Sequence, residues 1–415
     1  MTCGHGYRRP DMDDRLPPSP RTTVLDLDAL AGLDAAMRGH VERGVPGAAW
    51  LVALGDHVHI GTSGVRDTAG RPVERDSIFR IASMTKPLTA AAALMLVDDG
   101  ALSLDEPIDA WLPELADRQV LVADATSLDQ TEPAARPITV RDLLTFRLGL
   151  GYDFSGASRQ LTLAALASTG LQLGPPAPAT MPTGDGLMAA LGSVPLEHQP
   201  GTAWRYHLGA EVLGVLVERV TGAPLGRVFA ERVTGPLGMV DTRFDVPPAS
   251  LDRFGDCWWI DHATGERTVW DAADGQWTGP MPFASGGGGL VSTLDDYHRF
   301  ARFVLAGGTA ADGRRLLSAD LVHQMTSDQL TAEQRCTGPH PDGSEGWGFG
   351  VGVQVDARPA APAGSYGWSG GLGTMWRTDP SRDLIAIVLT VEMFTDPSMP
   401  ALIEDFFVGA FAATA

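Results

Sequence analysis

Cysteine is scarce in this chain of 415 residues. Cys3, Cys257 and Cys336 form no close pair, no C-x-x-C and no histidine-rich metal spacing. An odd, unpaired count fits a reducing compartment and implies no zinc site. Basic residues are also in deficit: 31 Lys and Arg stand against 51 Asp and Glu, a formal charge of −20. Such a polyanion repels phosphate backbones and anionic membrane surfaces, so nucleic acid is not expected as a partner, and the acid excess reads as a solvated surface. No run of 18 apolar residues occurs, which excludes a transmembrane helix as an expectation. The polar start, Met1–Pro20, carries Arg8-Arg9 with no apolar stretch behind it, so it does not read as a twin-arginine export signal. A cytoplasmic protein without a membrane partner is the resulting expectation.

What is present is a composition able to fold. Hydrophobic residues make up 44% of the chain, with 49 Gly and 30 Pro, well outside the disordered regime. Residues 1–24 read as a disordered, Pro-rich leader. The spacing of Leu27, Leu30, Leu33 and Met37 predicts a helix over 25–43. Strands are expected over 47–54 and 57–61, joined by the two-residue turn Gly55-Asp56. A very apolar helix should run from Ala82 to Asp99 and stop at Gly100. From 112 to 283 strands become scarce and short helical stretches such as 211–220 recur, which reads as a mostly helical inserted module. Late in the chain, Ser292 with Asp295 predicts a capping box for a helix ending at Gly307. Strands are expected over 346–355, 373–377 and 384–391, and a final helix over 401–411. Strands at both ends with helices between them predict an α/β (α+β) fold: an antiparallel sheet completed from afar by the N-terminal hairpin. The expected division is 25–111 plus 284–415 as one discontinuous domain and 112–283 as the insertion.

Three local features carry chemistry. Ser83-Met84-Thr85-Lys86 is an S-x-x-K run at the head of the apolar helix. Three residues apart on a helix means one face, so the Lys86 amine can reach the Ser83 hydroxyl and serve as its base. A surface Ser and Lys in a first turn is the bland alternative. Lys86, however, leads straight into a buried stretch, a poor place for an idle cation. The second feature is Trp204-Arg205-Tyr206-His207-Leu208, where a tyrosine could share a proton with Lys86; alone it would read as a packing aromatic. The third is Gly367-Trp368-Ser369-Gly370-Gly371, whose glycines let backbone N–H groups approach a substrate oxygen. It also matches the G-x-S-x-G nucleophile elbow, but that arrangement needs a later histidine, and the last one in the chain is His340. Ser369 is therefore read as a decoy nucleophile.

In this order the three features resemble the class C β-lactamase and penicillin-binding-protein superfamily of serine hydrolases, most of all its family VIII carboxylesterases. Supporting stretches are Ile81–Lys86, Thr139–Thr145, Gln199-Pro200-Gly201, Gly287–Thr293 with Asp296-Tyr297, and Gly346–Gly350, so that the likeness covers about residues 27 to 410. The resemblance implies a β-lactamase/transpeptidase-like fold, an antiparallel sheet flanked by helices with the active site beside a largely helical insertion. It implies Ser83 as the acylated nucleophile, Lys86 and Tyr206 as its proton relay, and the backbone N–H groups of Ser83 and Gly371 as the oxyanion hole. Trp368, Ser369, Gly370 and His207 are expected at the substrate, with no metal and no cofactor.

Two departures from the family pattern bear on substrate. Trp368 stands where a Lys or His opens the third motif of β-lactamases and peptidases, and Leu208 stands where their tyrosine motif ends in Asn. Both remove polar readout of a charged amide, which points to a neutral small-molecule ester. A third, Phe146-Arg147 in place of a frequent His-Thr, leaves the conformation of that loop open. The leading reading is a carboxylesterase. An acyltransferase using the same acyl-enzyme, a β-lactamase or D-amino-acid peptidase, and a non-catalytic ligand-binding homologue are its rivals.

Overall fold

A computed structural model of the chain describes residues 24–154, 161–171, 174–279, 281–340, 342–396 and 398–414. The expected leader, 1–24, lies outside these residues except for its last position.

The centre is a seven-stranded antiparallel sheet. Its strands are β1 (Gly47–Leu54), β2 (His57–Gly64), β3 (Glu345–Trp347), β4 (Gly352–Gln354), β5 (Tyr366–Gly370), β6 (Thr374–Asp379) and β7 (Leu384–Thr390), in the spatial order β2-β1-β7-β6-β5-β4-β3. The distant pairing that closes it runs Ala48↔Thr390 to Leu54↔Leu384. Alternation along β1 feeds two cores, because successive side chains point to opposite faces. Trp50 and Val52 pack with Leu33, Met37, Phe406 and Phe407 of the two terminal helices, α1 (Leu27–Glu42) and the last helix (Ala401–Ala412). Ala49, Leu51 and Ala53 face the larger core that contains α2 (Thr85–Asp98), α3 (Leu208–Thr221) and α4 (Leu294–Leu305). A bridge between Leu25 and Thr414 ties the chain ends together, so everything from 65 to 344 leaves the sheet and returns to it.

The expected elements are found with shifted ends and three corrections. The strand read over 346–355 is two short strands, broken at 348–351 around Gly350, which has φ +75°. The cap of α4 is Thr293, whose side chain accepts from Asp296 N–H; Ser292 is one residue too early and sits in a two-residue strand pairing with Phe79. Between 112 and 283 the chain also forms two hairpins, Gln119–Leu121 with Thr131–Pro133 and Cys257–Ile260 with Arg267–Asp271, in a stretch read as strand-poor. No helix among the described residues is long and apolar enough to cross a membrane.

The second hairpin braces the start of the S-x-x-K turn. Arg80 is buried and its Nε donates to Asp271 at 2.8 Å; Nη1 donates to Gly255 O at 2.7 Å and Nη2 to Ala272 O at 2.9 Å. The guanidinium also lies 4.1 Å from the Phe254 ring centre. Removing one partner of such a buried pair leaves a charge without compensation. Asp271→Ala should therefore lower unfolding stability by about 3–5 kcal/mol in urea titration. A loss under about 1 kcal/mol would show that Arg80 is not held by this pair.

Candidate active site

The S-x-x-K run spans the end of a single 3-10 turn, Ala82–Met84, and the first two residues of α2. Several bonds fix the turn from outside. Ile81 N–H donates to Leu290 O at 3.0 Å, Tyr297 Oη to Met84 O at 3.0 Å, and Thr374 Oγ1 to Ile81 O at 3.2 Å. Ala82 is held at φ +42°, a strained conformation for a residue with a β-carbon, immediately before Ser83. Such strain persists only where the surroundings over-determine the backbone.

The turn brings Ser83 Oγ within 2.9 Å of Lys86 Nζ. Lys86 is 1% exposed, and its amine also donates to Gly287 O at 2.6 Å. Desolvation pushes its pKa down to about 7, with the Glu211 charge opposing the fall in part. At neutral pH much of Lys86 is therefore an uncharged amine, able to accept a proton. Lys86 is also the only lysine in the chain, a signal that the sequence carries in plain view.

Tyr206 comes from a different part of the chain. It is held beside Ser83 by a reciprocal backbone pair with Tyr152, at 2.9 and 3.0 Å. Its hydroxyl accepts from Trp368 Nε1 at 2.7 Å and interacts with the Ser83 side chain, while Lys86 Nζ lies 4.5 Å from its ring centre. Burial raises the phenol above its ordinary value, so Tyr206 keeps its proton near neutrality. The two groups thus differ in kind: one amine short of a proton and one phenol holding its own.

Strand β5 approaches from the other side. A β-carbon on Gly370 would come within 2.1 Å of Ile81 O, so only glycine allows the strand to lie this close to the serine turn. Gly371 follows at the exposed end of β5. Among the described residues neither its N–H nor that of Ser83 donates to a backbone carbonyl. Ser369 lies within β5, opposite Met375 of a neighbouring strand, and not on a strand-turn-helix elbow.

Aromatic side chains surround the tyrosine. Phe146, in the loop whose conformation the sequence left open, takes φ +56° and sets its ring 5.9 Å from Tyr206 and 4.7 Å from Trp347. Trp368 stands edge-on to Trp347 at 4.5 Å and is 8% exposed. Its one N–H is already committed to Tyr206, a duty that the sequence did not suggest. His207 turns toward Lys86 at 3.2 Å, and its other nitrogen lies 3.2 Å from Glu211 Oε1. Glu211 was missed by sequence reasoning, which began its helix at 211. With the true start at 208, residues 207 and 211 stand one turn apart.

Comparison with known proteins identifies the family. The Beta-lactamase family profile matches residues 33–405. The chain belongs to the beta-lactamase family. Esterase EstB of Burkholderia gladioli is 32% identical over 409 residues, 92% of this chain and 96% of that one. A Mycobacterium tuberculosis protein, Rv1367c, is 40% identical over 348 residues, 80% of this chain and 82% of its own. Among solved structures, the LovD6 mutant of simvastatin synthase LovD from Aspergillus terreus superposes with a TM-score of 0.74 at 26% identity, covering 93% of this chain and 96% of that one. The fold is the β-lactamase/transpeptidase-like one, and the protein is an esterase-like serine hydrolase in a family branch that also holds acyltransferases.

Trp368→Phe keeps the aromatic packing but deletes the bond to Tyr206. A neutral hydrogen bond is worth about 0.5–1.5 kcal/mol, so ester kcat should fall about 3- to 10-fold with the urea midpoint little changed. An unchanged kcat would show that the indole N–H does not matter to Tyr206.

Proposed function

We propose that the protein is a carboxylesterase that hydrolyses neutral short- to medium-chain esters through an acyl-enzyme on Ser83. The observation that carries this reading is the 2.9 Å approach of Ser83 Oγ to a buried lysine whose pKa falls to about 7. The division into a domain of 25–111 with 284–415 and an inserted domain of 112–283 belongs to the same reading.

The steps balance as follows. Lys86 takes the Ser83 proton as Oγ attacks the ester carbonyl carbon, and the oxyanion forms between the N–H groups of Ser83 and Gly371. The tetrahedral species collapses as the alcohol leaves with a proton from Tyr206, and the Lys86 ammonium restores that proton. Water then gives a proton to Lys86 and attacks the acyl carbon. Collapse releases the carboxylic acid, and Ser83 recovers its proton from Lys86.

Substrate choice follows from two residues. A carboxylate beside the reacting carbonyl needs a cation or several donors once water is displaced. Trp368 offers one N–H, which Tyr206 already takes, and Leu208 is buried and apolar. The apolar face of Trp368 favours hydrocarbon, at about 0.8 kcal/mol per buried methylene. The acyltransferase reading shares every step but the acceptor. It is supported by relatives such as the Aspergillus terreus monacolin J acid methylbutanoyltransferase, 32% identical over 213 residues, 49% of this chain and 48% of that one. Adding an alcohol acceptor to the ester assay and measuring the transferred acyl product separates the two.

Ser83→Ala should abolish hydrolysis of p-nitrophenyl butyrate, whereas Ser369→Ala should keep a substantial rate. In the wild type, kcat/KM should rise with pH and level off above about 7, because only uncharged Lys86 accepts the proton. The same enzyme should turn over p-nitrophenyl butyrate far faster than a chromogenic cephalosporin. Preference for the cephalosporin would replace the esterase reading with the β-lactamase one.

A further inference from the structure

An uncharged amine has two N–H bonds and one lone pair in a tetrahedral arrangement, and a base works only if the lone pair faces its proton. Among the described residues Lys86 Nζ has three hydrogen-bonding neighbours: Ser83 Oγ at 2.9 Å, Gly287 O at 2.6 Å and His207 Nδ1 at 3.2 Å. Gly287 O is an acceptor only. His207 Nδ1 is an acceptor only if the ring proton sits on Nε2. That tautomer is set by Glu211, whose Oε1 lies 3.2 Å from Nε2 and also accepts from Ser285 Oγ at 2.6 Å. Burial alone would raise the Glu211 carboxyl, but its bonds and charge contacts with His207, Ser285 and Lys86 hold it below its ordinary range. The carboxylate therefore keeps the proton on Nε2. With Gly287 O and His207 Nδ1 taking both amine hydrogens, the lone pair is left facing Ser83.

The backbone is committed to this arrangement. His207 is held at φ +80° and ψ −62°, costly for any residue with a β-carbon, at the start of α3. A β-carbon on Gly287 would come within 2.6 Å of Glu211 Oε1 and 3.1 Å of His207 Cε1, so the carbonyl that receives Lys86 passes directly against the pair.

We propose that His207 and Glu211 are positioning residues for the reaction: His207 Nδ1 orients the Lys86 lone pair toward Ser83, and Glu211 fixes the imidazole that does so. The proposal rests on the reading of Lys86 as the base. Glu211 has a second effect when Lys86 becomes an ammonium. Its charge then faces the cation across one imidazole, near enough to favour it and too indirect to hold the lysine protonated at rest. Burial and the Lys86 charge push His207 below its ordinary value, so it stays neutral. The ionisable groups facing this set from other segments are Tyr152, whose ring lies 5.5 Å from that of His207, and Tyr206; burial raises both phenols. Near neutrality Lys86 is the member that titrates.

The test compares wild type, His207→Leu, His207→Asn and Glu211→Gln with p-nitrophenyl butyrate across pH, with urea midpoints as the check on folding. His207→Leu should lower kcat about 10- to 100-fold with KM within about twofold, the cost of a misaligned base. His207→Asn should recover most of that loss, since its side-chain oxygen can stand where Nδ1 does. In Glu211→Gln the acid limb of kcat/KM should move to lower pH, because the ammonium loses an anionic neighbour. A folded His207→Leu with wild-type kcat, an Asn variant as impaired as Leu, or a Glu211→Gln limb that does not move would each overturn the proposal. If His207→Leu fails to fold, the Asn and Gln variants decide. Fluorophosphonate labelling of wild-type Ser83 distinguishes failure of the parent reading: without it, Ser83 is not activated by Lys86 at all.

Discussion

The site depends on one electrostatic constraint, the burial of a lysine. A buried ammonium is expensive, and the usual remedies are a direct counter-ion or loss of the proton. Here the neighbours of Lys86 favour the second. Its contacts are a hydroxyl, a backbone carbonyl, an imidazole and a phenol ring, with the Glu211 carboxylate one residue further away. An amine near pKa 7 beside a serine is a base matched to neutral water. Much of the surrounding fold serves to keep it dry: α2 is buried over most of its length, and the Gly286–Leu290 segment crosses it closely enough that Thr89 Oγ1 donates to Gly286 O at 2.7 Å.

The sheet supplies the opposite wall. Its strands come from both ends of the chain, and β5 reaches the serine turn because position 370 has no side chain. The tyrosine is brought in by a third route, the pairing of residues 152 and 206, and is braced by Phe146, Trp347 and Trp368. In this arrangement Trp368 stands beside the reacting groups and donates its N–H to Tyr206.

Much of this was legible in the sequence where the signal is local and periodic. Spacing of three placed Ser83 and Lys86 together, the Gly55-Asp56 hairpin was plain, and β1 and β7 read as strands from their short apolar runs. Distant juxtapositions came only through the family likeness, because nothing in a linear pattern joins residue 206 to residue 83. The failures have specific causes. The start of α3 was placed three residues late because its N-cap residue, His207, makes no side-chain cap and sits at positive φ, leaving no capping signal to read. That error hid Glu211. Strand residues 346–355 were read as continuous because a break at Gly350 looks like any glycine in a strand. The cap of α4 was set one residue early because Ser292 and Thr293 both precede acids at the right spacing, and only tertiary pairing puts Ser292 in a strand.

Both the base and its positioning depend on the protonation state of Lys86. As the chain's only lysine, it gives a single resonance in protein labelled with carbon-13 at lysine Cε. Following that resonance against pH in the folded wild-type enzyme reads its titration without substrate. A midpoint of about 7 is expected; a midpoint at the ordinary lysine value of 10.5 would contradict an uncharged Lys86.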